Sequence, residues 1–152
     1  MEITTATLQD ATAWFALRRA LWPEASDAEH HVDIARIASD PARYGAFLAR
    51  DGGGAVGFAE ASLRHDYVNG CETSPVGFLE GIYTVPARRQ EGVAGALTHA
   101  VEQWTRERGC TELASDALLE NVDSQRMHVA LGFAETERVV GFRKVLGPRK
   151  IG

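Results

Sequence analysis

The chain has 152 residues, of which 45% are apolar and 24% charged, the balance of a soluble globular protein long enough to bury one core. No apolar run approaches the ~18 residues of a membrane span, and the opening Met-Glu-Ile-Thr-Thr lacks the basic and apolar regions of a secretion signal, so a cytoplasmic location is expected. The net charge of −5 comes without a basic stripe in the body of the chain, which argues against a nucleic-acid partner.

In chain order, Ile3, Thr4, Thr5 and Thr7 predict a first strand over residues 2–7. Asp10 is placed to cap a helix whose Trp14, Leu17 and Leu21 share a face, and Trp22-Pro23 stops it. A second helix is predicted from about Ala28 to Ala38, with Val32, Ile34 and Ile37 apolar, closed by Asp40-Pro41. Strands follow at about 44–50 and 55–65, joined by the turn Asp51-Gly-Gly-Gly54. In the second of them Val56, Phe58, Glu60 and Ser62 alternate with Ala55, Gly57, Ala59 and Ala61, small enough for a helix to pack closely. Asn69-Gly70 marks a turn, and 76–85 reads as a strand ended by Pro86, with Glu80 and Ile82 on one face and Gly81 and Tyr83 on the other.

From Gly92 the apolar positions Val93, Leu97, Val101 and Trp104 take helical spacing as far as about 108, with Gly109 as the C-terminal cap. Glu112 to Asp116 reads as a short strand, Asn121 to Leu131 as a helix, and Gly132-Phe133 with 139–146 as a final hairpin. Composition and pattern alone give one α/β or α+β domain over residues 1–152, without repeat or linker.

Three features carry chemistry. The run Arg89-Gln-Glu-Gly92-Val-Ala94 feeds a helix start, where unpaired backbone N–H groups form a site for a pyrophosphate. It is neither a P-loop nor the dinucleotide glycine pattern, and an ordinary glycine-led helix start stands as the plainer reading. Between Glu112 and Asp123 lie Glu112, Asp116, Glu120 and Asp123 and no base, which suits a cationic substrate or a solvated acidic face. Glu80, in an otherwise apolar strand, is costly there unless paired or functional. Cys71 and Cys110 match no metal-ligand spacing and read as free thiols, and no metal is expected.

The loop Arg89-x-x-Gly92-x-Ala94, with Asn121-x-x-Ser124-x-x-x-His128-x-x-x-Gly132-Phe133, resembles the acyl-CoA signature of the GNAT superfamily of N-acetyltransferases. The predicted order β-α-α-β-β-β-α-β-α-β-β is also theirs. Their fold would be a mixed, mostly antiparallel sheet of six or seven strands with helices on both faces. More specifically, Ser62 to Pro75, Phe78 to Tyr83, Ala114 to Ala117 and Glu135 to Arg138 closely resemble the aminoglycoside 6′-N-acetyltransferases, over nearly the whole chain.

That resemblance implies an enzyme that acetylates the 6′-amine of aminoglycosides and so confers resistance, with acetyl-CoA as co-substrate. Ile82, Tyr83, Thr84, Val85, Arg89, Gln90, Glu91, Gly92, Val93, Ala94 and Asn121 would hold acetyl-CoA, with a backbone N–H from Ile82 to Val85 meeting the oxyanion. Trp22, Tyr67, Glu80, Asp116 and Glu137 would line the drug pocket. Asp116, Glu80 or a water between them would take the amine's proton. A tyrosine is the family's usual acid where this chain has His128. An imidazole can serve there, or His128 is a helix histidine satisfied by a local partner. Trp22 is read both as a core anchor and as a pocket wall. The family's habit implies a homodimer built at the C-terminal hairpin. Another amine acceptor, such as a polyamine or a protein N-terminus, and a non-catalytic CoA-binding sensor are the alternatives.

Overall fold

The computed structural model describes residues 1–149. Five strands form one mixed sheet in sequential order: β1 Glu2–Thr5, β2 Tyr44–Asp51, β3 Gly54–Arg64, β4 Val76–Thr84 and β5 Leu113–Ser115. The first three pairings are antiparallel; β4 and β5 run parallel. Helices α1 (Ala11–Leu21) and α2 (Asp27–Ser39) cover one face and α3 (Val93–Glu107) the other, while α4 (Val122–Ala130) follows β5.

Each face has its own core. Trp14, Leu17, Ile34 and Ile37 pack on Leu48 and Phe58 beneath α1 and α2. On the opposite face Val93, Leu97, Val101 and Trp104 of α3 lie on Ala59, Ala61, Leu79 and Ile82, the small residues of β3 letting the helix approach. Met127, Leu131 and Phe133 pack against this second core and bring α4 to the same face as α3.

Four expectations need correction. The sheet has five strands among the described residues, not six or seven, because residues 134–149 adopt no strand. The hairpin expected at 139–146 is therefore absent, although its apolar residues are present and exposed. Asp10 does not cap α1; its carboxylate accepts from the Thr7 N–H at 2.9 Å and pairs with Arg50. In α2 the buried positions are His30, Ile34 and Ile37, and Val32 faces solvent. Gly109 does end α3, with a φ of +78° and its N–H on Arg106 O at 2.9 Å.

His30 belongs to a polar cluster between α1, α2 and β3. The buried Glu60 carboxylate accepts from Trp14 Nε1 at 2.8 Å and from Arg18 Nη1 at 2.5 Å to each oxygen. Arg18 also donates to Asp33 at 2.8 Å and, through Nε, to His30 Nδ1 at 3.2 Å. Because Nδ1 accepts, the imidazole hydrogen lies on Nε2, which donates to Trp22 O at 3.1 Å. Burial pushes the Glu60 carboxyl up in pKa, and Arg18 and Trp14 oppose that shift. Truncation at Glu60 leaves Arg18 Nη1 and the Trp14 indole N–H buried without their acceptor, and Arg18 with Asp33 as its one remaining carboxylate. Glu60→Ala is therefore expected to lose about 3 kcal/mol of unfolding free energy, read as a lowered denaturation midpoint.

Candidate active site

The register between β3 and β4 skips at Glu80: Glu60 lies opposite Gly81 and Ala61 opposite Leu79, so Glu80 is a one-residue bulge. The bulge resets the alternation. Leu79 and Ile82 both point to α3, whereas Glu80 turns to the face of Ser62 and Arg64. The expectation that Glu80 and Ile82 share a face is corrected for that reason. The Glu80 carboxylate accepts from Ser62 Oγ at 2.7 Å and from Arg64 Nη2 at 2.9 and 3.1 Å. The Arg64 guanidinium lies 3.5 Å above the Phe78 ring centre.

A cavity of about 1090 Å³ opens on this side, lined by Trp22, Tyr67, Arg64 and Glu80 among others. Trp22 is half-buried, edge-on to Phe58 at 5.8 Å, with the Arg18 guanidinium 4.7 Å from its ring centre. It is both core anchor and pocket wall. Tyr67 is 75% exposed, which packing cannot explain.

Asp116 and Glu137 line a second cavity, of about 540 Å³, beyond the end of β5. It is enclosed by α4, by the turn at Asn69 to Cys71 and by residues 134–139. Glu102, Glu112, Asp116, Glu135 and Glu137 line it against a single arginine, Arg138, which Glu135 already pairs at 2.5 Å. Such a lining concentrates negative potential. The five residues expected to bind substrate are thus divided between two cavities, and the 65–75 segment stands between them, Tyr67 and Val68 facing one and Asn69 to Cys71 the other.

Between these cavities the sheet parts. β4 pairs with β5 only at Gly77, Phe78 and Leu79, and β5 ends at Ser115. From Glu80 onward the β4 edge facing β5 has no strand beside it among the described residues, which leaves backbone groups between Ile82 and Thr84 available to a ligand; the expectation that Val85 N–H joins them is corrected, since it donates to Val56 O at 2.9 Å. Ile82 and Thr84 are buried; Tyr83 and Val85 are partly so.

Past Pro86 the chain makes one 3₁₀ turn, and Arg89 Nε ties back to Thr84 O at 3.1 Å. Gln90 (φ 65°) and Gly92 (φ 83°) both adopt the left-handed conformation, which turns the backbone into α3. Arg88 braces the loop by pairing with Asp51 at 2.5 Å and Glu91 at 2.8 Å. The helix ladder starts with Ala96 N–H on Gly92 O, and no side chain caps this end. The N–H groups of Val93, Ala94 and Gly95 precede that first bond, and a residue at Gly92 would find open space around a Cβ. This donor set fits a pyrophosphate.

Asn121 caps α4, its Oδ1 accepting from Ser124 N at 3.1 Å. His128 Nδ1 lies 2.7 Å from Ser124 O, an obligate acceptor, so Nδ1 carries a hydrogen. Nε2 faces Ser115 Oγ at 2.8 Å, and Ser115 Oγ is also 3.1 Å from Leu79 O. In the neutral ring the Ser115 hydroxyl donates to Nε2. In the imidazolium Nε2 donates to Ser115, which turns its own hydrogen to Leu79 O. Sequence reasoning missed Ser62, Arg64 and Ser115; the first two alternate with Glu60 along β3, a signal legible once the β4 register is known.

A profile of the acetyltransferase (GNAT) family matches residues 11–133. The chain is 56% identical over 136 residues to an aminoglycoside N(6′)-acetyltransferase type 1 from Serratia marcescens, covering 89% of this chain and 92% of that one. The apo crystal structure of aminoglycoside antibiotic 6′-N-acetyltransferase AAC(6′)-IG from Acinetobacter haemolyticus superposes with a TM-score of 0.92 at 45% identity, covering 97% and 100% of the two chains. The structure of AAC(6′)-Iy in complex with the bisubstrate analogue CoA-S-monomethyl-acetylneamine gives a TM-score of 0.91 at 47% identity, covering 95% and 98% of the two chains.

Cys71, in the acidic cavity, tests the electrostatics directly. Desolvation and then the neighbouring Glu112 push its thiol up from the ordinary value, so it stays protonated at neutral pH. Iodoacetamide alkylation of Cys71 is expected to lag a free cysteine at pH 7–8 and to catch up only above the ordinary thiol pKa. Glu112→Gln should speed it several-fold at pH 8, followed by mass spectrometry of the Cys71 peptide.

Proposed function

This chain belongs to the GNAT acetyltransferase family, and from that premise we propose that it acetylates the 6′-amine of aminoglycoside antibiotics, conferring resistance. The observation that carries the reading is the parted sheet: an open β4 edge flanked by a cavity in which five carboxylates face one already-paired arginine. A polyamine sugar suits that charge, and an acyl donor suits that edge.

Acetyl-CoA supplies an activated thioester. The N–H groups at the start of α3 hold its pyrophosphate, aided by the helix dipole, and the Arg89 to Ala94 loop follows its outline. Backbone N–H groups of the Ile82 to Thr84 stretch align the acetyl carbonyl, and Asn121 meets the pantetheine arm. Trp22, Tyr67, Glu80, Asp116 and Glu137 receive the drug, carboxylates taking its ammonium and hydroxyl groups by charge-assisted hydrogen bonds. Of the two candidate bases we favour Asp116. Glu80 already accepts from Ser62 and Arg64, whereas the Asp116 carboxylate accepts no hydrogen bond and makes no ion pair among the described residues and lines the acidic cavity, where it is open to a substrate amine. In its imidazolium form His128 passes the Nε2 proton to Ser115, whose hydroxyl gives its own hydrogen to the departing CoA thiolate, leaving a neutral imidazole.

The test is thiol release from acetyl-CoA with a 6′-amino aminoglycoside beside its 6′-hydroxyl counterpart. Turnover is expected with the amine alone, and Asp116→Ala should lower kcat by about 10²-fold or more. Full turnover in that variant would remove Asp116 from catalysis. Preference for a polyamine or a peptide N-terminus would reassign the acceptor, and acetyl-CoA binding without turnover would make the protein a sensor.

The working form is proposed to be a homodimer in the cytoplasm, the chain folding as a single domain. Val139, Val140, Phe142, Val145 and Leu146 are each more than 60% exposed, along a segment with no strand partner, while β5 leaves a sheet edge open. A second copy would cover both. Light scattering should give twice the chain mass, and Phe142→Asp should shift it toward the monomer; a monomeric parent protein would discard the dimer.

A further inference from the structure

We propose that Arg64 is an internal stand-in for a substrate ammonium on Glu80, and that an aminoglycoside binds by displacing it. This deepens the function proposed above and rests on it.

Three observations converge. First, the contact is the one a bound ammonium would make: Arg64 donates to both Glu80 oxygens, at 2.9 and 3.1 Å, inside the cavity that also holds Trp22 and Tyr67. Second, that cavity is charge-balanced, with four arginines and four carboxylates in its lining, unlike its acidic neighbour. A polycation gains little from entering it until one arginine gives way. Third, exposure separates the Arg64–Glu80 pair from the buried pair deeper in the same cavity. The Arg18–Glu60 pair is locked at 5% exposure on each side, whereas Arg64 and Glu80 are 42% and 35% exposed. A pair that open to water is weak and exchanges readily.

The Phe78 face gives the guanidinium a second hold, so displacement favours a ligand that brings an ammonium for Glu80 in addition to its reacting amine. Arg64 is then a specificity residue, raising KM for every substrate and most steeply for those with one charge to offer.

The test compares wild type, Arg64→Gln and Arg64→Lys by steady-state kinetics with kanamycin and acetyl-CoA, and by calorimetric titration with kanamycin alone. Arg64→Gln is expected to lower KM and Kd for kanamycin about fivefold, the scale of one exposed ion pair, with kcat within about twofold and KM for acetyl-CoA unchanged. Arg64→Lys restores a cation and should return both values toward wild type. An unchanged or raised Kd in Arg64→Gln, with a wild-type melting temperature, overturns the proposal and makes Arg64 a brace for Glu80. Should wild type bind kanamycin without acetylating it, the calorimetric comparison still decides. A protein that neither binds nor acetylates it sinks the aminoglycoside reading, and the displacement proposal with it.

Discussion

The architecture turns on one buried ion pair. Glu60 sits in the middle of the central strand β3 and would be intolerable there alone; Arg18, reaching from α1, makes it possible. The same guanidinium grips Asp33 and His30 of α2 and stacks on Trp22. Two helices, the sheet and one wall of the cavity beside Glu80 are thereby fixed by a single side chain. A wholly apolar replacement could be as stable, but it would not hold the α1–α2 corner, through His30 and the Trp22 carbonyl, in one orientation.

Directly opposite Glu60 the neighbouring strand bulges, and that irregularity divides the chemistry of the molecule. By inserting Glu80, β4 keeps Leu79 and Ile82 in the α3 core while turning a carboxylate to the other face. From Glu80 onward the strand has no β5 partner, so its edge can serve a ligand. Bulge and parting together set an acidic group and an open strand edge on consecutive residues of one strand. No regular sheet could offer both, since a continuous ladder would consume the edge and strict alternation would bury Glu80 against α3.

Much of this was legible in the sequence, for physical reasons that differ by element. The helix at 93–107 announced itself through Val93, Leu97, Val101 and Trp104, and its start through the glycine loop, because period and turn chemistry agree there. The site residues came from motif resemblance rather than pattern. Glu80 was singled out, but its facing was misjudged, because a bulge leaves no mark in a single strand's alternation. His30 and Arg18 were missed since a buried polar residue reads as a surface one until its partner is known. The final hairpin failed for another reason: 139–146 has strand composition, yet a strand forms only when it pairs, and these residues pair neither with each other nor with the open β5 edge.

That last failure bears on the site itself. Residues 134–139 form a wall of the acidic cavity, and Thr136 packs against Gly70 in the turn that forms another. The exposed apolar row begins where that wall ends, at Val139. A partner covering Val139 to Leu146, as in the proposed dimer, would therefore bear on the position of Glu137 on that wall. If the cover is a second copy, assembly and substrate recognition are one equilibrium: the dimer orders the wall, and a polycation bridging Glu137 and Asp116 strengthens the dimer by the same free energy.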